Sequence, residues 1–228
     1  MSSNDVRLIR LTAGAALGLA LLYLVSIPIG SLASLPAPSA SAADFAQFFA
    51  QHRAGLLVAV VLNGIAWCAL LPVAFVGLRS FLGERGSAAA TVALVCAGVE
   101  AALIGVALVF GGIAAYMAPD LGLELSKVFG AGMSIATSAS AWPTVPCVLG
   151  LVIAARRCGA LPRSVLAFGL LVAVLHAVTA VAFARSGLLS PGGIALAAPP
   201  AFAIWMACIG VVLLRRPVTV EVTAPALA

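Results

Sequence analysis

The 228-residue chain is 64% hydrophobic and 8% charged, with a mean hydropathy of +1.22. Soluble domains carry about 25% charged residues, so this chain has too little polar surface to face water on all sides. Its net charge of +5 does not indicate nucleic-acid binding: the basic residues fall singly or in pairs between apolar segments, with no basic run and no aromatic-interleaved patch.

A bilayer core about 30 Å thick needs roughly 20 apolar residues per helix. Six segments meet that length: about Leu8–Gly30, Ala54–Phe81, Ala88–Tyr116, Val128–Ala155, Ser164–Ala184 and Ile194–Leu214. The expected fold is therefore all-α, a polytopic bundle of six spans forming a single transmembrane domain over 1–228, with the lipid bilayer as its first partner. With the N-terminus in the cytoplasm, that side holds Arg7, Arg10, Arg79, Arg85, Arg156, Arg157, Arg163, Arg215 and Arg216. The other side holds Arg53, Lys127 and Arg185. This is a positive-inside pattern, and it puts both termini in the cytoplasm. Arginine in place of lysine at every position but Lys127, with a heavy alanine load, points to a GC-rich bacterial genome and so to a bacterial cytoplasmic membrane.

The first segment admits a second reading. Arg7 and Arg10, an apolar run and Ala40-Ser41-Ala42 also fit a cleaved secretory signal, although the run exceeds the ~7–15 residues of a signal core. Within it Gly14 and Gly18 form a GxxxG, a pattern suited to close helix packing. The next stretch, Ser31–Ser41, is rich in Pro, Ser and Ala and leads into an amphipathic segment at about 42–52. There Phe45, Phe48 and Phe49 share a helical face, and Ser41 with Asp44 resembles a capping box. This segment reads as a short helix on the outer membrane surface; it serves either as a linker ordering the second span or as a lid over an outward cavity.

The third span carries Glu100 about 12 residues, or ~18 Å, from its cytoplasmic end, and the fifth carries His176 at similar depth. A charge this deep costs about 2.5–3.5 kcal/mol on insertion scales, so both residues should face the interior and find partners; pairing them with each other is the economical arrangement. Asn63 and Trp67 are four apart and share a face, and Ser138 and Trp142 repeat that spacing. Trp67, Trp142 and Trp205 lie mid-span, away from the interface that tryptophan favours, which points to interior packing or a cavity wall. Pro72, Pro143, Pro146, Pro199 and Pro200 free backbone carbonyls in the same helices. Spans two and three resemble spans four and five loosely, each pair carrying Trp, Pro, Arg and then one central ionisable group.

The five cysteines, Cys68, Cys96, Cys147, Cys158 and Cys208, avoid the external loops, so no structural disulfide is expected. No CxxC, HExxH, Walker loop or GxSxG occurs. No cofactor and no metal site are expected: Glu100, His176 and Cys96 lack paired ligand spacing.

Leu22–Gly30, Asn63–Arg79, Gly98-Val99-Glu100-Ala101, and Leu161-Pro162-Arg163-Ser164 followed by Gly169 together resemble an uncharacterised bacterial family of six-helix integral membrane proteins, known only as a domain of unknown function. The resemblance implies the six-helix architecture and supplies no activity. Relatives often carry an arginine one turn before the glutamate, where this chain has Ala97. They also often carry an acidic residue leading into the sixth span, where it has Ala198-Pro199-Pro200-Ala201.

Three functional readings fit. One is a membrane protein that binds or moves a small molecule, hydrophobic or weakly basic, through a ligand- or proton-binding site of Glu100, His176, Asn63, Ser138, Trp67 and Trp142. Another is a non-catalytic assembly protein, alone as a homo-oligomer or with a membrane partner, whose polar cluster only fixes helix packing. The third is an intramembrane enzyme built on Ser138 or Cys96 near His176. No catalytic residue is assigned.

Overall fold

The computed structural model describes residues 3–182 and 197–216, and every regular element among them is helical. The elements are α1 (Ser3–Ile29), α2 (Ala42–Asn63), a π-helical stretch (Gly64–Leu70), α3 (Leu71–Leu82), α4 (Ser87–Tyr116), α5 (Leu123–Ala139), α6 (Ala141–Arg157), α7 (Arg163–Ala180) and α8 (Ala198–Leu214). Short 3₁₀ turns occupy Leu32–Ser34 and Glu84–Gly86. Among the described residues five stretches are long and apolar enough to cross a membrane: Asp5–Ile29, Ala42–Leu82, Ser87–Tyr116, Leu123–Arg157 and Arg163–Ala180. The sixth apolar helix, α8, is shorter at 17 residues. Arg185, the end of the expected fifth segment at Ala184 and the start of the sixth at Ile194 lie outside the described residues.

Two segments differ from the sequence reading. The amphipathic stretch at 42–52 is not a separate surface helix. It begins a continuous 41-residue helical run from Ala42 to Leu82. The Ser41–Asp44 capping box forms as expected, with the Asp44 carboxylate accepting from the Ser41 N–H at 2.9 Å and the Asp44 N–H donating to Ser41 Oγ at 3.2 Å. It starts a helix that has no reason to stop before Asn63. Phe45, Phe48 and Phe49 then face protein rather than lipid, packing with Leu56, Ala114 and Ala115. Gly130 of α5 leaves room for the Phe45 ring, which a Cβ there would strike.

The fourth span is the other difference: it is not one helix. It breaks at Ser140, between α5 and α6. Pro143 and Pro146 lack the N–H groups that would continue the ladder, and Ser140 and Thr144 bond locally instead. Ser140 Oγ donates to the Thr137 carbonyl and Thr144 Oγ1 to the Ser140 carbonyl, each at 2.7 Å. Such local side-chain bonds compete with regular helix.

α4 is the central helix, packing on α2, α3, α5 and α6, while α1 packs on α8, α3 and α2. Near the Arg-bearing end the contacts are made by small residues. A Cβ on Gly150 of α6 would sit 2.7 Å from the Ala89 carbonyl of α4, and one on Gly77 of α3 would collide with Thr12 of α1. In the α1 GxxxG a Cβ on Gly18 would sit 3.0 Å from the Leu70 side chain, and nothing lies within 4 Å of one placed at Gly14, so the pair makes no contact with another helix backbone. Gly210 of α8 supplies it instead, against Ala13 and Leu17. With Ala13, Ala16 and Leu19 fully buried, α1 is part of the core, and cleavage after Ala42 would strip that core open.

The same end gathers the basic turns. Cys158 Sγ donates to the Leu82 carbonyl at 3.2 Å, joining the α6–α7 turn to the end of α3. Arg216 bonds the Ala160 carbonyl and lies 4.8 Å over the Phe81 ring. At the opposite end Arg53 donates to the Ala115 and Tyr116 carbonyls at 3.2 and 3.3 Å. It thereby satisfies the last carbonyls of α4, a favourable place for a cation.

Candidate functional site

The interruption at Ser140 divides the fourth span into α5 and α6, both of which pack along α4. Between α2, α4, α5 and α7 lies a cavity of about 150 Å³. Its wall holds Asn63, Trp67, Glu100, Ser138 and His176, five of the six residues picked out in the sequence. The Ser31–Ser41 loop covers it through Leu32, Leu35, Pro36 and Pro38, and no residue of the Arg-bearing turns reaches it.

Trp142 is the residue that does not belong. It is 57% exposed, and its indole N–H donates to the Ala180 carbonyl at 2.9 Å across the α6–α7 seam. Ser138 and Trp142 share a face only if one continuous helix carries both, and the break falls between them. Trp67 and Trp205 do lie inside, at 2% and 0% exposure. Trp67 stacks on Phe202 and meets Tyr23 edge-on, both at 5.4 Å between ring centres. Trp205 fills the space beside Gly169 and donates to the Val165 carbonyl at 2.9 Å.

The π-helical stretch begins directly after Asn63 and ends just before Pro72, which has no N–H to continue a regular ladder. Such bulges frequently occur at functional sites. Here the bulge carries Trp67 on the cavity wall. Cys68 in the same stretch points its thiol at the Ala101 carbonyl, 3.5 Å away.

Glu100 and His176 share the cavity but form no ion pair. Glu100 is 1% exposed, and its Oε2 has no hydrogen-bond partner. Thr144 of α6 is the hydroxyl in reach of the carboxyl, yet its single hydrogen also serves the Ser140 carbonyl. With that hydrogen engaged, Thr144 Oγ1 keeps lone pairs that accept from a protonated carboxyl, and Oε2 stays without a partner. Buried polar atoms are nearly always paired, and an exception calls for a reason. His176 Nδ1 bonds the Val172 carbonyl of its own helix at 2.9 Å. A carbonyl only accepts, so Nδ1 carries the hydrogen, and in the neutral ring Nε2 is an acceptor. The imidazole also meets Phe202 edge-on at 6.0 Å.

Asn63 has a second task. Its Nδ2 donates to Ser26 Oγ of α1 and to the Ala59 carbonyl, both at 2.8 Å. Ser26 Oγ donates in turn to the Tyr23 carbonyl at 2.6 Å. Asn63 therefore ties α1 to α2 while lining the cavity.

Sequence reasoning missed Tyr23, Thr137, Met133 and the loop residues on the wall, and Thr144 beside the carboxyl. Tyr23 reads as an ordinary interfacial tyrosine. The hydroxyls of α5 and α6 do form a periodic stripe, Ser134, Thr137, Ser140 and Thr144, which a search for polar spacing in the apolar run would have found. Among the described residues no three His, Cys, Asp or Glu side chains are grouped to hold a metal ion. Comparison with family models, with curated proteins and with solved structures finds no match to this chain.

Proposed function

We infer that this chain is a multi-pass protein of a bacterial cytoplasmic membrane that binds a small molecule in the mid-bundle cavity, as a carrier or a receptor for it. One observation carries the reading. Residues from four separate spans converge on a single cavity, and one of them is a buried carboxyl with an unpartnered oxygen. A cluster serving only to fix helix register would satisfy its own members, since interhelical polar bonds are what such a cluster contributes. Asn63 behaves that way, which supports a structural role for that residue. Glu100 does not.

The same reading holds six spans, with α8 as the sixth. At ~1.5 Å per residue its 17 residues reach ~26 Å, close to the bilayer core. Both termini then lie with the Arg-bearing turns on the cytoplasmic side, and the Ser31–Ser41 loop covers the cavity from outside.

A ligand that binds the native state raises its unfolding temperature with concentration. An apolar cavity of about 150 Å³ holds a benzene-sized molecule, so toluene, benzyl alcohol and benzylamine are suitable probes. We expect at least one to stabilise the purified protein in nanodiscs, and Ala107→Leu, which puts three carbons into the cavity, to abolish the response. No shift with any probe, or an equal shift in Ala107→Leu, would sink the reading.

A further inference from the structure

The polar groups on the cavity wall are not balanced. Asn63 uses both Nδ2 hydrogens on Ser26 and Ala59, leaving Oδ1 as its free group. The hydroxyls of Ser134, Thr137 and Ser140 donate to the carbonyls of Gly130, Met133 and Thr137, at 3.1, 2.9 and 2.7 Å. A hydroxyl has one hydrogen and two lone pairs, so each offers the cavity only an acceptor. His176 offers Nε2, likewise an acceptor in the neutral ring. Glu100 adds a carboxyl whose Oε2 has no partner. Besides the hydrogen that a protonated Glu100 carries itself, the donors left on the wall among the described residues are the Trp67 indole N–H and the hydroxyls of Tyr23 and Ser138, none of which the structure directs at Glu100. An acceptor-rich wall around a carboxyl is chemically matched to a ligand that brings several donors and a positive charge.

The rest of the lining limits what carries that charge. Ile104, Ala107, Leu108 and Met133 are apolar, and the volume admits about six to eight heavy atoms on the benzene scale. Trp67 and Tyr23 present aromatic rings, which attract ammonium groups. An anion meets the wrong sign at Glu100. A doubly charged ligand finds one carboxyl and no second, since among the described residues no other Asp or Glu lines the cavity.

We propose that the cavity is a site for a compact organic monocation: a primary amine on a hydrocarbon of about benzene size, its ammonium donating to Glu100 and its apolar part lying against Ile104, Leu108 and Met133. Glu100 Oε2 reaches the ligand by rotation about χ3, which is broad for glutamate. The Ser134–Thr137–Ser140 stripe accepts the remaining ammonium hydrogens along the route from the Ser31–Ser41 loop. The proposal rests on the small-molecule reading above and adds the ligand's charge and size.

Benzylamine and benzyl alcohol separate the two claims, because they share a shape and differ in charge at neutral pH. Binding is measured calorimetrically to wild type, Glu100→Gln and Ala107→Leu in nanodiscs of neutral lipid, so that amine adsorption to anionic lipid does not contribute. The expected result is benzylamine binding at least tenfold tighter than benzyl alcohol, about 1.4 kcal/mol. That preference should disappear in Glu100→Gln, with benzyl alcohol binding unchanged. Equal binding of the two probes to wild type, both lost in Ala107→Leu, overturns the amine and leaves the small-molecule site standing. Benzylamine preference that persists in Glu100→Gln overturns the role of Glu100. Absence of binding by either probe overturns both claims. Should Glu100→Gln not fold, the wild-type comparison with Ala107→Leu still decides the charge preference.

Discussion

α4 is one helix of nearly uniform small and aliphatic residues, yet its two halves end up in different surroundings. From Ala90 to Ala97 it is closed against α6: Ala90, Ala93 and Ala97 are 2%, 0% and 0% exposed, and the Ala89 carbonyl nearly touches Gly150. From Glu100 to Leu108 it lines a cavity. Composition does not separate the halves, since alanine, valine and glycine run through both. What changes is the neighbour. On the Arg-bearing side the partner is α6, and past Ser140 it is α5. The cavity thus opens on α4 where its neighbour in the fourth span changes from α6 to α5, and Glu100 lines its wall.

Substitutions on the two halves should therefore have opposite effects. Gly150→Val is the largest expected loss. Its Cβ has backbone on the far side and nowhere to move, so overpacking should cost ~3 kcal/mol, read as a lowered midpoint in detergent unfolding. Ala107→Leu, on the open half, should be tolerated or stabilising by ~1 kcal/mol, as cavity-filling changes commonly are. A comparable loss at both positions would mean that the two halves are equally close-packed. Asn63→Ala breaks the α1–α2 link and leaves Ser26 without its donor. It should cost ~1 kcal/mol, near the range measured for interhelical hydrogen bonds in membranes. Trp142→Phe should be the mildest, at about 0.5 kcal/mol, and should leave probe binding intact, because that indole lies outside the cavity. Loss of benzyl alcohol binding in Trp142→Phe would place the ligand on the α6–α7 face instead.

Much of the cavity could be read one helix at a time. Glu100 and His176 stand out because ionisable groups are costly in an apolar helix and must turn inward. Asn63 and Trp67 follow from their four-residue spacing. Trp142 has the same spacing after Ser138 and fails, because the rule assumes one continuous helix and Ser140 interrupts it. Pairing Glu100 with His176 also fails. Depth along two helices does not give the distance between them, and each side chain has another partner: Thr144 for the carboxyl, the Val172 carbonyl for the imidazole. The Ser31–Ser41 loop was legible as irregular, and its contact with the cavity was not.

Apolar runs long enough to cross a bilayer, and the gathering of arginine in alternate gaps, belong to the sequence itself. Hydrophobic length and charge placement act through the solvent, and each segment answers to lipid and water independently of its neighbours. The cavity belongs to the tertiary structure. It depends on where one helix breaks, on which small residues let others approach, and on which hydroxyl hydrogens turn back to their own carbonyls. Those are relations between helices, so no single segment contains them, and only the packed bundle leaves one Glu100 oxygen in a confined space without a partner.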